Sequence, residues 1–393
     1  MHIFFVNYGK FSGPSGVHIF YLANSLSRLG VRATVFVPGD PAAVSVFGHP
    51  LFAVERLSAI RAWWLMRAAR RSGENVLIHA WTPRERVRKF TSLLARVTGA
   101  KYLVHLEDNE IHLAKIYRAV AGRLPLQRRI FRCLKPNSHT NPLRMAPFLQ
   151  NAAGVTCITD RLLEFCPPGK PSLVFWPGYE GELLDLPAGP DMEARRNQGL
   201  PDSAFVVVYT GNSHPANIDD LRTLYAAVAQ IYAEGHPVLL LRAGQDHRLY
   251  ADELGPSGRR PWLRHLGDRP HREFSSLVGL ADALLQPGKS DSFNDYRFPS
   301  KIPMLLASGR PVILPHTNIG THLVDGKECL LLKSGTAEEI ADQLRKLMLD
   351  PALAAKIGFG GRAFARRHLD WQMAAAGMAE FYVQILTGMK PES

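Results

Sequence analysis

Short apolar runs alternate with amphipathic helical segments along the chain. The run at residues 2–7 (HIFFVN) is followed by a glycine-rich loop, a helical pattern over residues 17–30 and a β-branched run at residues 31–38. The alternation starts again at residues 204–210 (AFVVVYT). Buried runs of strand length separated by helices are typical of parallel sheets, so the pattern predicts an α/β protein.

A stretch rich in proline, glycine and charge separates the two series of elements, at residues 180–202. Such composition is typical of a linker between domains. We therefore predict one domain over residues 1–185 and a second over residues 186–365, followed by a helical segment over residues 366–393.

Residues 291–315 (DSFNDYRFPSKIPMLLASGRPVILP) contain the most informative pattern. It predicts a loop, a short helix that begins near Pro299, a turn at Gly309 and a buried strand. A helix start carries unpaired N–H groups, and Lys301 and Arg297 add positive charge, so the segment indicates an anionic ligand. The alternative is an ordinary connection with a polar cap.

This segment resembles the donor-binding segment of retaining GT-B glycosyltransferases of the family-4 type. The resemblance rests on Phe298-Pro299, Ala307-Ser308-Gly309, Pro311-Val312-Ile313 and Asp325-Gly326. It implies two Rossmann-like α/β domains that face each other across a cleft, with the C-terminal helix returning to the first domain. It also implies a nucleotide-diphosphate sugar as donor, retention at the anomeric carbon, and neither a cofactor nor a bound metal.

The chain departs from the family at two positions. The family segment usually has two glutamates separated by seven residues, where this sequence has Tyr296 and Met304. A divergent form of the segment, N-D-x-R-x-P-x-K, matches better, and we expect Asp295 or Asp291 to supply the missing carboxylate. Asp295 and His105 are the two candidate catalytic residues.

The resemblance also implies roles for residues elsewhere in the chain. His105 is expected to lie just past a strand, as His79 does, and to contact the donor sugar, while Glu107 and Asp108 are candidates to orient an acceptor hydroxyl. A solvated acidic turn is the alternative for these two carboxylates. The expected donor and phosphate contacts are Ser15, Gly16, Gly211, Asn212, Ser213, Arg297, Phe298, Pro299, Ser300 and Lys301.

Charge is distributed unevenly over the 393 residues. Residues 1–180 contain 24 Lys and Arg against 10 Asp and Glu, a balance of +14 within a total of +12. We expect the first domain to bind an acidic glycan or lipid-linked acceptor or the anionic surface of a membrane, with Arg128, Arg129 and Arg132 as contacts. A basic surface that serves solubility is the alternative, and no nucleic-acid partner is expected.

Residues 57–72 form a predicted helix with Trp63 and Trp64 among four arginines. Interfacial membrane helices have this composition, but a helix that covers a sheet with its tryptophans in the core is the favoured interpretation. No apolar run reaches the roughly 20 residues of a membrane span, and the start MHIFFVNYGK lacks the basic region of a signal peptide. The four cysteines lack metal-type spacing, so we expect a cytoplasmic protein, with any lipid contact at the inner face of the membrane.

The leading functional prediction is a glycosyltransferase. One alternative is a nucleotide-sugar 2-epimerase, which would act on the donor without an acceptor. Another is a non-catalytic GT-B protein that binds nucleotide sugar or glycan, because both usual glutamates are replaced.

Overall fold

The computed structural model describes residues 1–11, 13–122, 139–187, 189–254 and 260–388. These residues form two compact units. Unit 1 comprises residues 1–177, 296–300 and 370–393, and unit 2 comprises residues 178–295 and 301–369. The predicted basic contacts Arg128, Arg129 and Arg132 lie outside the described residues.

Unit 1 is built on a seven-stranded parallel sheet with strand order β3-β2-β1-β4-β5-β6-β7. Every residue of β1 and β4 is buried, because helices cover both faces of the sheet. The strands are β1 (His2–Val6), β2 (Arg32–Val37), β3 (Ala53–Arg56), β4 (Val76–Trp81), β5 (Lys101–Leu106), β6 (Gly154–Cys157) and β7 (Ser172–Val174).

Two helices cover one face of this sheet and two others cover the opposite face. On one face α1 (residues 14–28) packs against the last helix, α13 (residues 371–387), around a core that includes Phe5 and Tyr382. On the other face α2 and α3 pack side by side, with Phe90 of α3 against Phe36 of β2. The helices of unit 1 are α1 (Pro14–Arg28), α2 (Ala59–Arg71), α3 (Glu85–Thr98), α4 (Glu110–Gly122), α5 (Pro142–Gln150) and α13 (Trp371–Thr387).

Unit 2 is built on a six-stranded parallel sheet with order β10-β9-β8-β11-β12-β13. Its strands are β8 (Phe205–Thr210), β9 (Val238–Ala243), β10 (Leu263–Gly267), β11 (Ala283–Leu285), β12 (Val312–Pro315) and β13 (Leu330–Leu332). Its helices are α6 (Met192–Asn197), α7 (Ile218–Ala233), α8 (Ala251–Leu254), α9 (Phe274–Gly279), α10 (Ile302–Ala307), α11 (Ala337–Leu349) and α12 (Pro351–His368). The predicted α/β class with two Rossmann-like sheets is confirmed.

The pattern at residues 291–315 gives the predicted order of elements, but the helix begins at Ile302, three residues later than expected from Pro299. The helix α10 occupies residues 302–307, Gly309 follows with a φ of +72°, and β12 begins at Val312. The chain reverses at Gly309 because only glycine adopts this left-handed conformation without strain. The order of elements in this segment was therefore readable from the sequence.

The favoured interpretation of the tryptophan-rich helix was right that α2 covers the sheet and wrong that its tryptophans lie in the core. Trp64 on α2 is 55% exposed, and Trp63 is only half-buried beside the Arg67 guanidinium, 5.1 Å from its ring centroid. The side of α2 that packs on the protein contains Ala62, Met66 and Ala69 instead. Among the described helices, none has the length and apolar character needed to cross a membrane.

Candidate functional site

The strand order of unit 1 changes direction between β1 and β4. In open parallel sheets, ligands bind outside the carboxyl ends of the strands at such a switch point. The loops that leave these two strands are linked by the Arg84 guanidinium, which lies 3.9 Å from the ring centroid of Tyr8. This edge of the sheet is the first candidate region.

Glu107, the first residue beyond β5, is the centre of a buried hydrogen-bond network at this edge. Its carboxylate accepts hydrogen bonds from the Ser15 hydroxyl and, at 2.8 Å, from the indole nitrogen of Trp81. The same carboxylate lies 2.9 Å from Nδ1 of His18. Burial alone would raise the pKa of Glu107, but His18, His105 and the Ser15 hydrogen bond outweigh it and hold the pKa at about 2. Glu107 is therefore ionised at neutral pH.

The glycine-rich loop approaches its own backbone closely at Gly16. A Cβ at this position would lie 1.6 Å from the carbonyl oxygen of Phe11, so no other residue fits the observed path. The neighbouring Ser15 is buried and bonded to Glu107. The structure thus brings together three predicted site residues, Ser15, Gly16 and Glu107.

His105 lies inside β5, and His79 lies inside β4, so the prediction that both follow their strands was wrong. His105 is fully buried, with Nδ1 2.9 Å from the Thr156 hydroxyl and its ring 4.2 Å from the Trp81 ring. Burial lowers the pKa of His105 to about 3, so its imidazole is neutral. His79 bonds Tyr382 and Thr156, which is a structural role.

A second carboxylate group lies beside this network. Arg84 donates to Glu110 at 2.8 Å and lies 3.9 Å from Asp108. Burial, followed by the charge of Glu110, raises the pKa of Asp108 to about 7, against the opposing effects of Arg84 and Arg297. Because Glu107 is buried and only a quarter of the Asp108 side chain is exposed, the solvated acidic turn is excluded. With this pKa, Asp108 can gain or lose a proton near neutral pH.

Thr82, directly after β4, adopts a φ of +77°. This conformation is strained for a β-branched residue, and such strain is concentrated at functional sites. The Thr82 amide donates to the carbonyl oxygen of His105 at 3.0 Å, which holds the bend against β5. Nothing in the local sequence indicated this conformation.

The strand order of unit 2 changes direction between β8 and β11. The ammonium group of Lys301 donates to the carbonyl oxygen of Thr210, the last residue of β8, and lies 3.8 Å from the ring centroid of Tyr209. Gly211 follows with a φ of +155°, and a Cβ there would lie 3.5 Å from Nζ of Lys301. Two predicted donor contacts, Gly211 and Lys301, therefore meet at the switch point of unit 2.

Asn212 and Ser213 use their side chains to fix the loop after β8. The Asn212 amide oxygen accepts from the backbone of Gln245 at 2.7 Å. The Ser213 hydroxyl donates to Asp246 at 3.1 Å and accepts from the backbone of His247 at 2.7 Å. Because these side chains are bonded to the loop after β9, at residues 245–247, the loop after β8 presents mainly its backbone to a ligand.

The two candidates for the missing carboxylate differ in their contacts. Asp291 accepts hydrogen bonds from the backbone N–H groups of Phe293 and Asn294, at 2.8 and 2.6 Å, and so caps a turn. Asp295 accepts hydrogen bonds from the hydroxyls of Ser290, at 2.9 Å, and of Thr317. The bond with Thr317 joins the loop after β11 to the loop after β12.

The remaining predicted donor residues lie in residues 296–300, which belong to unit 1. Tyr296 packs against Phe165 with ring centroids 5.7 Å apart, and Phe298 is buried. Pro299 and Ser300 are half-buried. No group of three or more His, Cys, Asp or Glu side chains suited to a metal ion occurs among the residues that the structure describes.

Residues 204–350 match the sequence model of the family described as "Glycosyl transferases group 1". The chain is also similar to a D-inositol 3-phosphate glycosyltransferase of Streptomyces bingchenggensis, with 26% identity over 233 residues, 55% of this chain and 48% of that protein. A protein of the same name from Thermobispora bispora is 28% identical over 215 residues, 50% of this chain and 47% of the relative. The chain thus spans about half the length of the curated relatives it matches.

Two solved structures share the fold over almost the whole chain. Anabaena HepE in complex with UDP-glucose has a TM-score of 0.72 at 16% identity and covers 98% of this chain and 100% of its own. Sucrose-phosphate synthase from Thermosynechococcus elongatus has a TM-score of 0.71 at 16% identity and covers 99% of this chain and 100% of its own. The predicted GT-B fold is confirmed.

Proposed function

We propose that this chain is a glycosyltransferase that moves a sugar from a nucleotide-diphosphate sugar to an acceptor hydroxyl. The observation that carries the proposal is the match of residues 204–350 to group 1 glycosyl transferases. The same residues contain the switch point of unit 2, where Lys301 lies beside Gly211. Donor-bound relatives of the same fold, such as Anabaena HepE with UDP-glucose, support this choice of donor.

In the proposed mechanism, unit 2 stabilises the leaving diphosphate. Negative charge accumulates on the diphosphate as the glycosidic bond breaks, and a fixed ammonium group stabilises that charge. Lys301 is already held in place by the carbonyl oxygen of Thr210 and the Tyr209 ring. Gly211 permits close approach of the phosphates to the backbone.

Unit 1 contributes the acceptor side of the reaction. We assign Asp108 to orient the acceptor hydroxyl, because its pKa of about 7 suits a group that exchanges a proton at neutral pH. Glu107 holds the start of α1 through Ser15. His105 is fully buried inside β5 beside Trp81, so it acts by packing rather than by contact with the donor sugar. We further propose retention at the anomeric carbon, no metal, and an acceptor that is a glycan or is linked to a lipid.

Two measurements test the proposal. A thermal-shift panel of nucleoside diphosphates and their sugars identifies the donor, since a ligand at about 100 times its Kd adds roughly 2.7 kcal/mol of stability. Incubation of that donor with candidate acceptors should then give a glycosylated product. Conversion of the donor to a free epimer without an acceptor would instead indicate a 2-epimerase.

The replaced glutamates at Tyr296 and Met304 favour one other function, nucleotide-sugar binding without catalysis. Met304 is buried in the core around α10, so it offers no polar group to a ribose. Tight binding of the donor with neither transfer nor hydrolysis would support this alternative over the proposed transferase.

A further inference from the structure

The exposed side of α2 and α3 combines large apolar side chains with cations. On α2, Ile60 is 74% exposed and Trp64 is 55% exposed, and on α3 Leu93 is 46% and Val97 is 51% exposed. Residues 60 and 64, like residues 93 and 97, are four apart and so lie on one side of their helix. Because the two helices pack side by side, the four side chains belong to one surface of unit 1.

Arginine and lysine side chains surround these apolar residues. The exposed cations are Arg61, Arg67, Arg70 and Arg71 on α2 and Arg86, Lys89 and Arg96 on α3. Residues 57–73 and 86–106 contain no Asp or Glu, and Glu85, at the start of α3, is buried and paired with Arg88 at 2.7 Å. We call this combination of apolar and cationic side chains the α2–α3 surface.

We propose that the α2–α3 surface binds the anionic surface of a lipid bilayer. A helix that lies in the membrane interface needs apolar side chains to enter the acyl boundary and cations to contact the headgroups, and both are present here. Glu55 of β3 reaches α2, but its charge is paired with Arg61 at 2.8 Å. Exposed aliphatic residues distinguish this surface from one that binds nucleic acid, where cations and stacking aromatics suffice. The proposal rests only on residues that the structure describes, and it does not depend on Arg128, Arg129 and Arg132.

The chain offers matched positions for a controlled test. Phe359 on α12 of unit 2 is 78% exposed, and Lys356 and Arg366 are exposed cations of the same helix. Phe359→Ala therefore matches Trp64→Ala in lost exposed aromatic area, and the pair Lys356→Ser and Arg366→Ser matches Arg67→Ser and Arg71→Ser in lost charge. All of these side chains are on the surface, so circular dichroism and the Tm should stay at wild-type values in each variant.

The experiment is co-sedimentation of the full chain with phosphatidylcholine vesicles that either contain or lack phosphatidylglycerol, without any sugar substrate. The wild-type protein should pellet with the anionic vesicles at low salt and much less with the neutral ones. Trp64→Ala should weaken binding on the order of tenfold, from lost apolar burial. Arg67→Ser with Arg71→Ser should weaken it roughly 30-fold, or about fivefold per cation. The unit 2 variants should bind as the wild type does.

Three results would overturn the proposal. The first is failure of the wild-type protein to pellet with anionic vesicles. The second is an equal loss of vesicle binding in the unit 1 and unit 2 variants. The third is a wild-type protein that binds single-stranded DNA but not vesicles, and whose DNA binding is lost in Trp64→Ala. The last result would assign the surface to nucleic acid. The vesicle experiment contains no donor or acceptor, so a negative result does not contradict the proposed transferase reaction. A negative transferase assay likewise does not contradict lipid binding.

Discussion

Nδ1 of His18 lies 2.9 Å from Oε1 of Glu107, and both side chains are buried in unit 1. The two residues are 89 positions apart in the chain, so this contact joins the first turns of α1 to the end of β5. The same carboxylate oxygen accepts the Trp81 indole N–H. One ionised group therefore binds Ser15 and His18 of α1 and Trp81 of β4, and so fixes two separate segments to the end of β5.

Glu107→Ala should lower the free energy of unfolding by about 3–5 kcal/mol, because it leaves buried donors of His18, Trp81 and Ser15 without their acceptor. Urea denaturation followed by circular dichroism measures this. The exposed Glu182→Ala should stay within about 0.5 kcal/mol of the wild type. Equal, small effects of both substitutions would show that the network contributes little.

The pKa of about 7 for Asp108 predicts a pH dependence of stability. The folded-state pKa lies above the ordinary value of 3.8, so the folded protein holds this proton more tightly than the unfolded chain does. The stability that this group contributes is complete below about pH 4 and is lost as the pH rises through about 7. Since a quarter of the side chain is exposed, we expect a loss of about 2 kcal/mol.

Asp108→Asn removes this titration, so the variant should lose less stability than the wild type between pH 4 and pH 8. Urea midpoints measured across that range provide the comparison. Parallel pH profiles for the two proteins would contradict the raised pKa of Asp108.

Gly16→Ala should destabilise unit 1 by about 3 kcal/mol or more, since the added Cβ would meet the Phe11 carbonyl at 1.6 Å and the loop would have to move. Gly9, in the loop that precedes α1, is the control, because a Cβ there would have no neighbour within 4 Å. Thermal unfolding of both variants is the measurement. A Tm for Gly16→Ala equal to that of Gly9→Ala would contradict the observed loop path.

Lys301→Ala should weaken nucleoside-diphosphate binding by roughly 1.5–3 kcal/mol and nucleoside-monophosphate binding by less, because a charge-assisted contact is lost only to the distal phosphate. Isothermal titration calorimetry with both ligands gives the two values. The exposed Lys327→Ala should bind both ligands normally. Equal losses for the two ligands in Lys301→Ala would place its contact elsewhere on the donor.

Asp295→Asn should reduce sugar transfer while the fold stays intact, if Asp295 replaces the first glutamate of the family segment. An amide of the same size can accept from one of the two hydroxyls, Ser290 or Thr317, through its oxygen and donate to the other through its nitrogen, so the Tm should change little. Initial rates of transfer, with Asp291→Asn as the comparison, separate the two candidates. Full activity in Asp295→Asn would move the assignment to Asp291 or remove it.

Local patterns predicted the parts of the site that depend on neighbouring residues. Pro299, the apolar run 302–307 and Gly309 act within a few positions of each other, and their helix and turn formed as expected. The glycine-rich loop and the carboxylates after β5 were also found, because both follow strands at the same edge of a parallel sheet.

Contacts across long sequence separations were not predictable in this way. His18 and Trp81 were missed because nothing near them in sequence indicates that their nitrogen atoms meet a carboxylate 89 and 26 residues away. The exposure of Trp64 was misjudged for a related reason. Small residues such as Ala62 and Ala69 complete the buried side of α2, so its bulkiest side chain is left outside.

The discontinuity of unit 1 has a consequence for synthesis on the ribosome. Its core includes Trp371, Met378 and Tyr382 of α13, and Tyr382 supplies the hydroxyl 2.8 Å from Nδ1 of His79. These residues are translated after nearly all of unit 2. While unit 2 is synthesised, the nascent unit 1 therefore lacks α13. The face of its sheet that α1 and α13 share stays partly exposed, and His79 lacks the Tyr382 hydroxyl. A chaperone that shields apolar surface would have its longest period of engagement on that uncovered face.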